Sequence, residues 1–195
     1  MILTTMQKIF GWIERVVICV AIIGFVLVLM SSLGGATIMV LSLAFLSLVY
    51  FAAGYFQPAQ TGQKPSFKVA LLKVLSGFTL SILVIGFLFK FMLWNGAAIM
   101  LLVGLIGTVI AAIAAFALTR VDYNVSGIIR RSAIWTGLGL VLFFTSSTTL
   151  FELHNPNDSV LVEKFSAREA HPGDPTYQAD FDEYRRQHHS QHNEQ

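Results

Sequence analysis

The chain has 195 residues, 55% of them hydrophobic and 12% charged, and its mean hydropathy is +0.68. That balance excludes an ordinary soluble domain and implies an integral membrane protein. The formal charge of +2 averages two unlike parts and carries no nucleic-acid signal: residues 1–150 hold nine Lys/Arg against two acids, whereas residues 151–195 hold four against nine.

A bilayer requires roughly 20 apolar residues per helical crossing. Five stretches meet this, at about 16–33, 36–56, 71–92, 97–118 and 130–150, and they predict an all-α transmembrane body over residues 1–150. Backbone groups must be satisfied inside lipid, so each stretch is expected to close its own hydrogen bonds as a helix. The first span follows Lys8 and Arg15 and contains the sole cysteine, Cys19, which reads as a small buried hydrophobe and excludes an intramolecular disulfide. A short basic lead, an apolar core and the small residues Gly34, Gly35 and Ala36 also imitate a cleaved signal peptide, an alternative that leaves four spans.

Breaks between spans are expected at Gly34-Gly35, Gln57-Pro58, Asn95-Gly96 and Tyr123-Asn124, from the positive-φ tolerance of Gly and Asn and the missing donor of Pro. Lys8, Arg15, Lys64, Lys68, Lys73, Arg120, Arg130 and Arg131 all fall on one side of the resulting layout. The Lys/Arg bias makes that side the cytoplasm of a bacterial inner membrane, with the N-terminus inside and the C-terminus periplasmic. Gly-Ala-Thr-Ile-Met at 35–39 recurs as Gly-Ala-Ala-Ile-Met at 96–100, an offset of 61 residues, and suggests two parallel helical hairpins plus one further span.

The third span ends in Phe-Leu-Phe-Lys-Phe-Met-Leu-Trp-Asn-Gly-Ala-Ala, residues 87–98. Lys90 near the helix end can lay its stem in hydrocarbon and carry its ammonium to the headgroups, Trp94 suits interfacial depth, and Asn95 and Gly96 reverse the chain. This hairpin resembles the first hairpin of the inner-membrane motor subunit of the Bacteroidota gliding-motility and type 9 secretion machinery. It also resembles a wider group of uncharacterised Bacteroidota membrane proteins with the same pattern, approximately Phe-Lys-x-Met/Leu-His-Trp-Pro-Gly-Ala. Phe89, Lys90, Met92, Trp94, Gly96 and Ala97 match, while Leu93 stands in place of the His and Asn95 in place of the Pro; about 35 residues are covered. The resemblance implies a bacterial lineage and, in the motor family, a lysine paired with an intramembrane glutamate for ion coupling. Val109 occupies the position of that glutamate after Gly107-Thr108, and Glu14 and Asp122, the two acids before residue 151, read as lying at the cytoplasmic boundary. With no acid in any span, the lysine reads as an anchor and not as part of an ion path.

The fourth span carries Gly104, Gly107, Ala111, Ala114 and Ala115 at spacings of three and four, a stripe suited to internal helix packing or to a homo-oligomer face. The fifth ends in Thr-Ser-Ser-Thr-Thr, residues 145–149, whose hydroxyls can bond back to the helix or line a polar path. Residues 151–195 form an acidic tail read as two short helices, with Pro175 at a start and Tyr177, Phe181 and Tyr184 at helical spacing. So little apolar surface predicts a tail that docks, binds a partner or stays mobile. His188 and His192 are i, i+4 and form a weak candidate metal pair beside the reading of a solvated helix end.

No nucleophile–base pair, phosphate-binding glycine loop or ligand cluster is evident, so neither enzyme activity nor a cofactor is expected. The expected surroundings are the lipid bilayer and a protein partner or second copy. The favoured reading is a subunit or scaffold of an envelope complex; the alternatives are a small transporter or channel, and an accessory of an ion-coupled gliding or secretion motor.

Overall fold

The computed structural model of the chain describes residues 2–30, 34–56, 67–94, 96–119, 126–156 and 158–192. The expected breaks at 57–58 and 123–124, together with Lys64, Asn95, Arg120 and Asp122, lie outside the described residues. Eight helices follow one another among those described: α1 (Ile2–Leu29), α2 (Gly35–Phe56), α3 (Phe67–Phe91), α4 (Ala97–Thr119), α5 (Ser126–Phe144), α6 (Ser147–His154), α7 (Ser159–Ala170) and α8 (Pro175–His192). The first five contain segments long and apolar enough to cross a membrane, Ile9–Leu29, Gly35–Tyr55, Phe67–Phe91, Ala97–Leu118 and Gly127–Phe144. The protein is an all-α, multi-span membrane protein.

Two boundaries differ from the sequence reading. The helix of the first span begins at Ile2, and its apolar segment begins at Ile9, which brings Glu14 inside it. The fifth helix stops at Phe144, not at residue 150, and the chain divides there into two compact units, 1–144 and 145–195. Ser146 explains the stop: it adopts an extended conformation (φ −67°, ψ 152°) and its Oγ accepts from the Thr149 backbone N–H at 3.0 Å, capping α6. Hydroxyls expected to close the fifth span therefore start a new helix, because Ser and Thr compete for backbone groups at helix ends.

Close approaches fix the topology of unit 1–144. Cβ atoms added at Gly24, Gly54, Gly86 and Gly139 would meet, respectively, Met39 N at 2.8 Å, Lys73 O at 3.1 Å, Leu101 N at 2.9 Å and Leu105 Cδ2 at 2.8 Å. Each successive helix is thus antiparallel to the last. The starts of α1, α3 and α5 share one end with the finishes of α2 and α4, and Arg15, Lys68, Lys73, Arg130 and Arg131 all belong to that end. The α3 helix is the most buried of the five and packs against α2, α4 and α5. Its small residues Ser76, Gly77, Thr79, Ser81 and Gly86 permit those approaches.

Some features of the hairpins α1–α2 and α3–α4 fall 62 positions apart, one more than the offset of the sequence likeness. Positive φ occurs at Gly34 (101°) and Gly96 (86°), and the close-approach glycines are Gly24 and Gly86, each pair 62 positions apart. The backbone bonds Ile38 N–H to Gly34 O and Met100 N–H to Gly96 O share that spacing. The 61-residue match therefore falls one position out of step with these features.

Unit 145–195 holds the two helices expected in the tail, α7 and α8, and adds α6, which begins in residues the sequence reading gave to the fifth span. Phe151 and Phe165 stack with centroids 4.0 Å apart, and Phe181 meets both edge-on at 5.9 Å. The Arg168 guanidinium lies over Phe165 and Phe181 at 4.5 and 4.7 Å. Asp158 caps α7 by accepting from the Leu161 N–H at 2.9 Å, and Lys164 bridges to Asp180 at 2.6 Å.

Candidate functional site

The lysine turn resolves into a helix-end motif. Trp94 N–H donates to Phe89 O at 2.9 Å and Leu93 N–H to Lys90 O at 3.2 Å, the paired bonds of a Schellman ending. The residue that must enter the left-handed region is Leu93, with φ 54°, a place that favours glycine or asparagine. Trp94 packs edge-on against Phe89 at 5.1 Å, supplying the apolar contact that accompanies this motif. Lys90 is only 9% exposed, so neighbouring residues cover most of its side chain. Val109, at the position of the motor family's glutamate, is 41% exposed. An acid there would occupy an outward position.

The small residues of α4 lie against α3. A Cβ at Gly104 would meet Leu83 Cα at 2.6 Å, and one at Gly107 would meet Thr79 Cγ2 at 2.6 Å. Ala111 and Ala115 are fully buried, the latter in a cluster with Leu72 and Ile128. His188 and His192 share α8, but their side chains lie outside the described residues; among those described, no group of three metal-ligating residues occurs.

The most concentrated polar chemistry is at the basic end of unit 1–144, in a cluster the sequence reading missed. Arg131 Nη2 donates to Glu14 Oε2 at 2.6 Å, and Tyr50 Oη donates to Glu14 Oε1 at 2.9 Å. Trp135 Nε1 in turn donates to Tyr50 Oη at 2.6 Å, while Phe87 packs edge-on against the indole at 5.3 Å. Three helices, α1, α2 and α5, thereby meet at one carboxylate whose side chain is 14% exposed. An isolated carboxylate at this depth would be costly, and the arginine and tyrosine together satisfy it. The pair is 117 residues apart in sequence, so no local spacing signals it. The available clue was the placement of Glu14 and Arg131 close to apolar runs.

Beside this cluster is a cavity of about 20 Å³ lined by Tyr50, Gly54, Lys73, Gly77, Ile128 and Arg131, among others. That volume has room for one water. Its narrowness follows from the α2–α3 approach, where a Cβ on Gly77 would meet Tyr50 O at 2.7 Å and Gly54 Cα at 2.8 Å. Next to Arg131, Ser132 Oγ is buried without a hydrogen-bond partner. Comparison with protein-family models, curated proteins and solved structures gives no match to the chain.

Proposed function

We propose that the protein is a non-catalytic subunit or scaffold of an envelope complex in a bacterial inner membrane, and that its C-terminal unit engages a protein partner on the periplasmic side. The observation that carries this reading is the compactness of residues 145–195, which gather three phenylalanines and Arg168 into a core of their own. A segment held in a defined shape presents a fixed surface, and with nine acids against four Lys/Arg that surface suits a basic partner. Orientation rests on the basic end of the bundle, which the Lys/Arg rule assigns to the cytoplasm.

The transporter reading gains Glu14 and Arg131 from the structure. Their charges neutralise each other, however, and the adjoining cavity has room for one water but not for a solute. The test has two arms. A reporter active only in the periplasm should be active when fused after Gln195 and silent when fused at Gln63. Deletion of residues 145–195 should leave the five-helix unit inserted and abolish co-purification of the partner; undiminished recovery of that partner would overturn the reading.

A further inference from the structure

The cavity between α2, α3 and α5 combines features that the scaffold role does not require. Lys73 on α3 and Arg131 on α5 line the same small space. Arg131 contacts Glu14, but a guanidinium has five N–H donors, so this contact leaves donors available. Among the described residues Lys73 has no carboxylate partner, and Lys73, Arg131 and Glu14 together leave one positive charge in excess. Lys73 and Arg131 lie about 9 and 7.5 Å from their helix starts, Phe67 and Ser126, at 1.5 Å per residue, both toward the basic end of the bundle. Basic pockets between membrane helices are suited to lipid headgroups, and arginine's planar fork matches a phosphate.

We propose that this cavity binds a phosphate group at the basic end of the bundle, with Lys73 and Arg131 as its ligands. The volume, about 20 Å³, fits one oxygen in place of a water, so a single non-bridging phosphate oxygen enters while the remainder of the group stays at the mouth. The Gly54–Gly77 backbone contact forms the floor, and Tyr50, whose hydroxyl is already engaged with Glu14 and Trp135, contributes a wall. The Glu14 carboxylate holds the guanidinium in position and lowers its net charge. Lys73 supplies the uncompensated cation that makes the site selective for an anion.

The experiment uses the full chain in lipid nanodiscs of phosphatidylcholine, of phosphatidylcholine with phosphatidylglycerol, and of phosphatidylcholine with inorganic phosphate added. Thermal unfolding is read together with the number of lipids retained in native mass spectrometry. The expected result is a higher Tm and one retained phosphatidylglycerol in the anionic discs. Both should be lost in Lys73→Met, kept in Lys73→Arg, and kept in Lys68→Met, which removes an exposed lysine from the same helix. A Tm rise with inorganic phosphate alone that also disappears in Lys73→Met would support the site and identify a free anion as its source. Equal Tm and retention in neutral and anionic discs together with no Tm response to inorganic phosphate, or an effect of lipid or phosphate that Lys73→Met leaves intact, would overturn the proposal.

Discussion

The two units of the molecule differ most in what they turn outward. In residues 1–144 glycine, serine, threonine and alanine share the interior with Met39, Leu46, Leu83 and Leu101, while Phe45, Ile113, Phe116 and Val141 are exposed. In residues 145–195 the large rings of Phe165 and Phe181 are buried and the exposed faces are charged. The difference follows from the solvent. Lipid gives apolar side chains no reason to leave it, so helices associate through close approach and a few polar bonds, such as Ser47 to Ser81 at 2.8 Å and Thr108 to Thr136 at 3.2 Å. Water expels the rings, and the smaller unit collapses around them.

The sharpest way to break this contrast is to put bulk into the first interior. Gly77→Leu would drive a side chain into the backbone of α2, where the nearest atoms are main chain and cannot rotate away. The expected cost exceeds about 3 kcal/mol, the upper range for overpacking that side chains can absorb. Purified variant should elute as aggregate in size-exclusion chromatography in detergent. The converse change removes bulk from the second interior. Phe165→Ala is expected to cost about 3 kcal/mol, enough to unfold so small a unit. Limited proteolysis should then cut within 145–195 and spare the five-helix unit; uniform resistance would mean that the phenylalanine core is not what holds the segment.

Glu14→Gln tests the polar tie. It leaves Arg131 without its carboxylate, but because that side chain is 30% exposed the loss should be about 2 kcal/mol, below the range for a fully buried pair. A double-mutant cycle with Arg131→Met, followed by denaturant unfolding in micelles, measures the coupling. Leu93→Gly should act in the opposite direction, relieving a left-handed leucine and raising stability by about 0.5–1 kcal/mol after allowance for glycine's looser unfolded chain.

The smallest effect is a pH response. Asp174, at the start of α8, accepts from the Thr176 N–H at 2.9 Å, and that bond holds its carboxyl below the ordinary 3.8. Its contribution is present above the ordinary value and is lost as pH falls through the lower, folded one. Amide exchange at Thr176 and Tyr177 should therefore rise in acid before the rest of α8 responds.

The five crossings were legible because length and apolarity alone determine them. The rotation of each helix about its axis was not, since a helix buried on several sides has no distinctive polar face. Lys90 was conspicuous as a lone lysine, yet its burial depends on neighbours that the local sequence does not specify. Thr-Ser-Ser-Thr-Thr was ambiguous for a related reason: hydroxyls satisfy a helix interior or cap a new start equally well, and Ser146 does the latter. The register of the hairpins was obscured because Gly-Ala-x-Ile-Met attracts attention through identity, whereas the geometry depends on where a missing Cβ is needed.

The bond between Glu14 and Arg131 also bears on how the protein is made. A chain synthesised from its N-terminus delivers α1 to the membrane first, when Tyr50 and Arg131 do not yet exist. The carboxylate acquires a hydroxyl partner with the second helix and its counter-charge with the fifth. Until then the first helix holds a solitary acid in its apolar segment, a state suited to remaining near the insertion machinery or close to the headgroups. The Glu14 ion pair is complete only once the fifth helix is made, and a chain truncated before Arg131 lacks that counter-charge.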